Sequence, residues 1–449
     1  MSTNPFLCPD FTIRWSAHTA DQIEPAIKEA LAGGQAAIDA IAGLPLDGLT
    51  YANTFLALEK ATEPLSFAWS KVTHLQSVMD SPELREAHNA VLPAVTTFYA
   101  RIPLNPDLWL RLKTVAESEE GRAQTGIHRR FVDETVADFK EAGADLPAAQ
   151  RNRLEAIQSE LAKLTQQYAE NVLDATNAWD VVIEDESRLA GIPQHALDTA
   201  RKSAEGKGRA STESPAWRFT LQMPSQEPVM VYAEDESLRE QMWRAASSVG
   251  STEEKDNRPL VPQILALRDE EAHLLGKEHF ADQVLERRMA GSGQRALDFT
   301  NDLQSKAQVA FERENAELEA FKAAKVGQPV GRLKPWELGY WAEKQRRELH
   351  DFDDEVLRPY LPMNRVIDGL YELCHRVFGL QIEEDTSGDA QVWHEQVKFY
   401  TIHDDRNRHV GSFYADWYPR ESKRGGAWMG YLKTGGPQPD GSREPHLGY

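Results

Sequence analysis

The chain has 449 residues, of which 41% are hydrophobic and 27% are charged, so it can bury a large core and does not have a disordered composition. Its formal net charge is -21, which excludes nucleic acid and anionic membranes as favoured partners. Two cysteines, Cys8 and Cys374, are too few to staple a secreted scaffold. Without a leader-like N-terminus or an apolar run of about 18 residues, the sequence predicts a cytoplasmic protein.

Three segments carry apolar residues at steps of three and four, which predicts amphipathic helices at residues 20–42, 154–172 and 296–325. In the first of them, the adjacent glycines Gly33 and Gly34 predict a bend or a boundary. In the third, a Gly-Ser-Gly run at residues 291–293 marks the start of the helix.

Strand patterns are few. Residues 217–221 and 229–232 alternate on either side of two prolines, which predicts a hairpin. Residues 397–402 and 409–417 flank a polar turn and predict a second hairpin, with a third strand at 427–432 beside it. The fold class predicted from these patterns is mainly α, with a small sheet in the last third of the chain.

The histidines offer two candidate metal pairs. His273 and His279 are six residues apart, and six helical steps of about 100° place them on different faces, so exposed histidines are the favoured interpretation. His403 and His409 face each other across the second hairpin, where an ordinary cross-strand pair is commoner than a metal site. The sequence contains no H-E-x-x-H, P-loop, G-x-S-x-G or dinucleotide-binding pattern, so its spacing alone reveals no catalytic centre.

Three blocks of sequence resemble one family. They are DNRPL with ILALRDEEAHLLG at 256–276, WAEKQRRELHDFDDEVLRPY followed by LPMNRV and GLYEL at 341–373, and GSFYADWYPRESKRGGAWM at 411–429. Together they are similar to the zinc oligopeptidases that include thimet oligopeptidase, oligopeptidase A and peptidyl-dipeptidase. The third block is the most specific.

The resemblance implies two mainly helical lobes flanking a deep channel that admits short peptides and excludes folded proteins. On this basis we expect residues 1–146 and 190–262 to form a distal lobe, the latter with a small hairpin. Residues 147–189 and 263–449 are then expected to belong to a catalytic lobe. The family's zinc activates a water molecule for attack on the peptide carbonyl, with a motif glutamate as the base.

The family's H-E-x-x-H motif follows the region that matches residues 427–429, and the chain ends at Tyr449 without it. We therefore assign no catalytic and no metal-binding residue, and expect zinc only in a complete enzyme. Three accounts are open. The chain is a fragment of a longer enzyme, one polypeptide of a split enzyme whose partner carries the zinc motif, or a non-catalytic module that binds peptides or a partner protein.

The candidate substrate-binding residues are Gly425, Gly426, Ala427 and Trp428. We interpret this segment as an exposed edge strand that pairs with an extended peptide, the two glycines allowing close approach of the backbone. The alternative is a plain turn in which Trp428 fills the core. The nearby cations Arg420, Lys423 and Arg424 are interpreted as salt-bridge partners of acidic residues rather than as a carboxylate site.

Overall fold

The structure is a computed structural model, and it describes residues 4–211, 213–252, 254–438 and 442–449. Helices dominate these residues, as predicted. In chain order the α-helices are α1 (Ile23–Ala42), α2 (Ala57–Val78), α3 (Pro82–Leu104), α4 (Pro106–Glu117), α5 (Glu119–Ala123), α6 (Gly126–Glu141), α7 (Ala148–Ala178), α8 (Gln194–Gly206), α9 (Met223–Tyr232), α10 (Glu236–Ser247), α11 (Leu260–Leu274), α12 (Phe280–Leu285), α13 (Gly293–Val326), α14 (Pro335–His350) and α15 (Met363–Phe378).

The strands are short, and most of them lie in the last third of the chain. They are β1 (Asp180–Ile183), β2 (Trp217–Thr220), β3 (Ser251–Thr252), β4 (Lys255–Asp256), β5 (Gln381–Glu384), β6 (Lys398–His403), β7 (His409–Ala415), β8 (Tyr431–Lys433), β9 (Gly436–Pro437), β10 (Arg443–Glu444) and β11 (His446–Gly448). One mixed sheet has the order β5-β6-β7-β11-β8, with β11 parallel to β7 and the other neighbours antiparallel. The remaining strands form two-stranded pairs.

The hairpin predicted at 397–402 and 409–417 is confirmed by the antiparallel pair β6 and β7. Its turn is stabilised by Asp404, whose carboxylate accepts hydrogen bonds from the backbone of Arg406 and Arg408 at 3.0 and 2.9 Å. Asn407 takes a φ of 58°, the left-handed conformation that asparagine tolerates well.

The hairpin predicted at 217–221 and 229–232 is wrong. β2 forms an antiparallel pair with β1 instead, and β1 lies more than 30 residues earlier in the sequence. The second half of the predicted hairpin is the helix α9, which has Pro224 in its first turn. A proline there loses no intrahelical hydrogen bond, so the residue that we interpreted as a break between strands begins a helix.

The long helices predicted at 154–172 and 296–325 are confirmed as α7 and α13. The side chain of Ser292 caps the N-terminus of α13 by accepting from the backbone of Arg295 at 3.2 Å. Gly327 ends that helix with a φ of 69°. Within the described residues, no helix combines the length and the apolar composition that crossing a membrane requires.

The bend predicted at Gly33 and Gly34 is wrong, since α1 runs unbroken through both glycines. Gly33 is exposed and Gly34 is buried. A Cβ atom built on Gly34 would lie 2.9 Å from Cζ of Phe98 on α3, whereas one on Gly33 would meet nothing within 4 Å. The second glycine is therefore explained by the close approach of two helices.

Alanine substitutions at the two glycines are expected to have opposite effects on stability. Gly33→Ala places a methyl group where it contacts nothing, and the higher helix propensity of alanine should raise the free energy of unfolding by about 0.5–1 kcal/mol. Gly34→Ala makes the same gain but presses against the buried Phe98 ring, and overpacking costs about 1–3 kcal/mol. Thermal unfolding of both variants beside the unsubstituted chain checks this, and equal melting temperatures for the two would contradict it.

The chain divides into two compact units. The first comprises residues 1–165, 266–283 and 363–449, and the second comprises residues 166–265 and 284–362. The two lobes expected from the family resemblance stay a prediction. Within the first unit, residues 1–146 share a hydrophobic core with the last third of the chain.

The core of the first unit combines the N-terminal helices with the sheet. Phe6, Trp15 and Leu65 lie in the same buried cluster as Tyr414 of β7 and Leu432 of β8. The aromatic rings of Trp15 and Tyr414 are 5.8 Å apart in an edge-to-face arrangement, which favours their packing beyond the buried area alone. One face of the sheet is thus covered by residues that lie up to about 400 positions earlier in the chain.

The second unit has its own core, formed by β1, β2, α8, α9 and α10 around side chains such as Phe219, Leu238 and Met242. Arg239 is buried within this unit. Its guanidinium donates to the carbonyls of Trp336 at 3.0 Å and Ala233 at 2.5 Å. It also lies 4.0 Å from the centre of the Tyr340 ring, so a buried cation ties α10 to α14.

Candidate functional site

β7 ends at Ala415, and the next residue, Asp416, places a buried carboxylate at the end of the sheet. The Nη1 and Nη2 atoms of Arg420 donate to its two oxygens at 2.8 and 2.5 Å. Trp393 Nε1 donates to the same carboxylate at 3.1 Å. Lys423 Nζ lies 3.1 Å from Oδ1 and also donates to the Asp416 carbonyl at 2.6 Å.

Burial alone would raise the pKa of Asp416, but hydrogen bonds from Arg420, Trp393 and Lys423 outweigh it and hold the pKa below its usual value. Asp416 is therefore ionised at neutral pH and neutralises two buried cations. This confirms the salt-bridge interpretation for Arg420 and Lys423. Arg424 differs, because its guanidinium lies over the Trp428 ring, 4.7 Å from the ring centre.

Residues 425–429 form no strand, which corrects the prediction of an edge strand there and of a third strand at 427–432. Gly426 has a φ of 91°, a backbone conformation that ends an extended segment and that glycine adopts readily. The edge strand is the shorter β8, which begins at Tyr431 and pairs with β11. Part of its backbone already has a partner, since Ser70 Oγ on α2 donates to the Leu432 carbonyl at 3.2 Å.

The segment 425–429 is nevertheless an exposed stretch of main chain. Gly425, Gly426 and Ala427 are exposed, and Trp428 is half-buried against the core of the first unit. No described residue forms a hydrogen bond with the backbone of 425–429. The segment therefore presents backbone donors and acceptors, while the Trp428 side chain packs as the turn interpretation expects.

Both ends of this segment are fixed. Arg424 donates its backbone N–H to the carbonyl of Ser77 at the end of α2, at 2.9 Å. Gly430 and Tyr449 exchange two backbone hydrogen bonds of 2.9 and 3.0 Å. A short exposed loop between two anchored points loses less conformational entropy on binding a ligand than a mobile loop would.

His74 on α2 lies close to this region, and sequence reasoning missed it. Its ring is 1% exposed. The ring centres of Trp393 and Tyr449 lie 4.2 and 4.1 Å from it. Neither ring nitrogen has a hydrogen-bond partner among the described residues. One feature of the sequence could have indicated that His74 is buried. Lys71 and His74 occupy the helical spacing between the apolar residues Phe67 and Val78, so they lie on the apolar face of α2.

His74 predicts a loss of stability in mild acid. Burial lowers its pKa to about 3 from the ordinary value of 6.5. The unfolded chain therefore binds a proton between these values that the folded chain does not, and stability falls as pH drops below 6.5. From pH 6.5 to pH 5 this amounts to about 2 kcal/mol.

The test is His74→Leu, which has a similar volume and no titrating group. Urea unfolding of both chains at pH 7 and pH 5 should show a smaller loss for the variant, by about 2 kcal/mol. His18, with a pKa lowered to about 4 mainly by burial, titrates in both chains and cancels from the difference. An identical pH dependence for variant and parent would contradict the role given to His74.

Among the described residues, neither histidine pair belongs to a group of three or more possible metal ligands. His403 and His409 pair across β6 and β7 with ring centres 5.3 Å apart, and His409 Nε2 lies 2.8 Å from Ser412 Oγ. His273 and His279 are exposed, and α11 ends at Leu274, so they do not share a helix. Across the part of the chain that the structure describes, no three His, Cys, Asp or Glu side chains are grouped to hold a metal ion.

Comparison with known protein families gives two matches. Residues 229–449 match the model of peptidase family M3, and residues 48–151 match the model of the neurolysin/thimet oligopeptidase N-terminal domain. These ranges include all three blocks that carried the resemblance.

Curated relatives match almost the whole chain. Oligopeptidase A of Salmonella typhimurium is 38% identical over 95% of this chain and 62% of its own length. Oligopeptidase A of Escherichia coli is 36% identical over 100% of this chain and 65% of its own length. The dipeptidyl carboxypeptidase of Escherichia coli is 29% identical over 96% of this chain and 61% of its own length. The chain thus spans less than two thirds of these relatives, and it belongs to peptidase family M3, the family of thimet oligopeptidase and oligopeptidase A.

Proposed function

We propose that this chain supplies the N-terminal and central part of a zinc-dependent oligopeptidase that hydrolyses short peptides. The observation that carries the proposal is the match over 95–100% of this chain to two proteins named oligopeptidase A. The remaining part of the enzyme corresponds to the share of those relatives that this chain does not span. The absence of a disulfide, since Cys8 and Cys374 are both free thiols, supports a cytoplasmic location.

The zinc of this proposal does not fit the residues described here. A catalytic zinc takes three protein ligands, and among the residues that the structure describes no three His, Cys, Asp or Glu side chains are grouped to hold a metal ion. We therefore assign no catalytic step to this chain. The ligands belong, in this proposal, to the remaining part of the enzyme, supplied in the same polypeptide or by a second one.

The role we propose for this chain is to hold the peptide substrate at residues 425–428. The backbone of Gly425, Gly426 and Ala427 forms no hydrogen bond with any described residue. It can therefore exchange main-chain hydrogen bonds with an extended peptide, which gives affinity with little sequence preference. The fixed ends of the segment and the Arg424–Trp428 contact keep this backbone in place.

Gly425→Val tests this role. A Cβ at Gly425 meets nothing within 4 Å and its φ is not positive, so the folded chain accommodates the side chain. A peptide backbone lying against residue 425 would be pushed away. In the completed enzyme we expect KM for a short peptide to rise about tenfold with little change in kcat, because uniform binding is lost.

The matched control is Gly331→Val, at a glycine in the second unit with equally open surroundings. It should leave KM unchanged. An unchanged KM for Gly425→Val as well would remove residues 425–428 from the substrate site.

The proposed function itself is tested by hydrolysis of a quenched-fluorescent nonapeptide. The 449-residue chain is assayed with zinc, alone and together with a polypeptide that corresponds to the unmatched share of the relatives. We expect cleavage only in the mixture and its loss on adding a chelator. Peptide binding without cleavage in either sample would favour the alternative of a non-catalytic binding module.

A further inference from the structure

The helix α15 carries an exposed apolar stripe. Its side chains Met363, Val366, Leu370, Leu373 and Val377 are 42–60% exposed. Their spacing of three, four, three and four residues places all five within about 80° of the helix circumference. Scattered exposed apolar residues need no explanation, but a continuous stripe of five does.

The stripe is distinct from the face of α15 that contacts the sheet. Ile367, Tyr371 and Cys374 are the half-buried residues of this helix. The Tyr371 ring lies 5.0 Å from the ring centre of Tyr400 on β6 and 6.3 Å from that of Phe413 on β7. α15 is therefore seated on the sheet by these residues, and the stripe lies beside them, centred about 90° further round the helix.

The spacing of the stripe fits a second helix as its partner. Apolar side chains alternating at three and four residues form the seam of a packed helix pair, in which knobs of one helix enter holes of the other. Gly369 lies at the edge of the stripe opposite the sheet-facing residues, and nothing lies within 4 Å of its Cβ position. A glycine there lets a second helix approach closely.

The occupant is argued from length and charge. The chain matches 62% and 65% of the length of the two oligopeptidase A relatives, so the remaining 38% and 35% of their length has no counterpart in it. A second copy of this chain is a poor alternative, because each copy carries a net charge of -21 and like charges repel.

We infer that the stripe of α15 is the docking site for a helix of the polypeptide that corresponds to this unmatched share. The inference rests on the proposed function, because that function requires such a polypeptide. The inference adds to that function the surface on which the second polypeptide binds. Burying five apolar side chains gives a helix–helix contact its affinity, and a charge placed in the seam removes it.

The experiment co-expresses the 449-residue chain with the unmatched part of Salmonella typhimurium oligopeptidase A and purifies the complex through a tag on the chain. Dissociation is followed by sedimentation velocity over a dilution series. Leu370→Glu should raise Kd at least about tenfold. Leu110→Glu on α4 is the matched control, since Leu110 is 45% exposed and Leu370 is 47% exposed, and it should leave Kd unchanged. Circular dichroism and thermal unfolding verify that both variants fold.

Three outcomes would overturn the inference: no complex at all, a complex with the same Kd for Leu370→Glu as for the unsubstituted chain, and a homodimer of the chain alone that Leu370→Glu dissociates. Peptide hydrolysis by the same samples separates this inference from the proposed function. A complex that depends on Leu370 but cleaves no peptide supports the docking site and contradicts the peptidase. Cleavage that is insensitive to Leu370→Glu supports the peptidase and contradicts the docking site.

Discussion

Asp416→Ala is expected to lower the free energy of unfolding of the first unit by about 3–5 kcal/mol, because it leaves two buried cations without their counterion. The side chains of Arg420 and Lys423 are only 11% and 10% exposed, so water cannot replace the lost carboxylate. Trp393 Nε1 loses its acceptor as well. Urea unfolding followed by tryptophan fluorescence measures the difference.

The pH dependence gives this prediction a second signature. The pKa of Asp416 is lowered in the folded chain, so its contribution is present at neutral pH and is lost as pH falls below about 4. The difference between variant and parent should shrink there. Asp302→Ala is the control, because it breaks an exposed pair with Lys306 and should cost at most about 0.5 kcal/mol. A similar small loss for Asp416→Ala would contradict the counterion role.

Arg239→Ala is expected to destabilise the second unit by about 3–5 kcal/mol. The substitution removes the hydrogen bonds that the buried guanidinium donates to the carbonyls of Trp336 and Ala233, and it opens a cavity beneath the Tyr340 ring. Thermal unfolding monitored by calorimetry should show the loss in the transition of this unit.

The neighbouring Arg244 on the same helix provides the comparison. Its side chain is 62% exposed, pairs with Glu240 one turn away and lies 5.1 Å from the centre of the Trp336 ring, so Arg244→Ala should cost at most about 1 kcal/mol. Comparable losses for the two arginine variants would show that the buried hydrogen bonds of Arg239 contribute little.

Local patterns predicted the parts of the fold that local contacts determine. The periodicity of residues 154–172 and 296–325 was enough for α7 and α13, because one apolar stripe suffices to specify a long amphipathic helix. The hairpin of β6 and β7 was predictable because its turn is built from its own residues, chiefly Asp404 and Asn407.

Long-range contacts account for what the sequence did not predict. The pairing of β2 with β1 joins residues 34–40 positions apart. A proline such as Pro224 is compatible both with a break between two strands and with the first turn of a helix, so its presence alone does not decide between them. Phe6 and Trp15 share one core with Tyr414 and Leu432. The local sequence around these residues contains no pattern that predicts this contact.

The candidate site at residues 425–428 stays a prediction, and its conformation was not predicted. The glycines at 425 and 426 indicated close backbone approach, and the structure exposes that backbone, yet Gly426 bends it out of a strand. Two buried polar residues of α2 were missed for a further reason. His74 and the buried Lys71, whose Nζ donates to the carbonyls of Phe6 and Cys8 at 3.1 and 2.8 Å, are polar residues in core positions that only the tertiary structure explains.

The most direct test of the central proposal is a single-chain chimera in which these 449 residues are joined to the unmatched part of Salmonella typhimurium oligopeptidase A. The chimera removes the assembly step and asks only whether this chain forms part of a working oligopeptidase. With intact Salmonella oligopeptidase A as the reference, we expect the chimera to cleave a short quenched-fluorescent peptide, to lose activity with a chelator and to regain it with zinc. A folded, zinc-loaded chimera that leaves the peptide intact, while the reference cleaves it, would contradict the proposal.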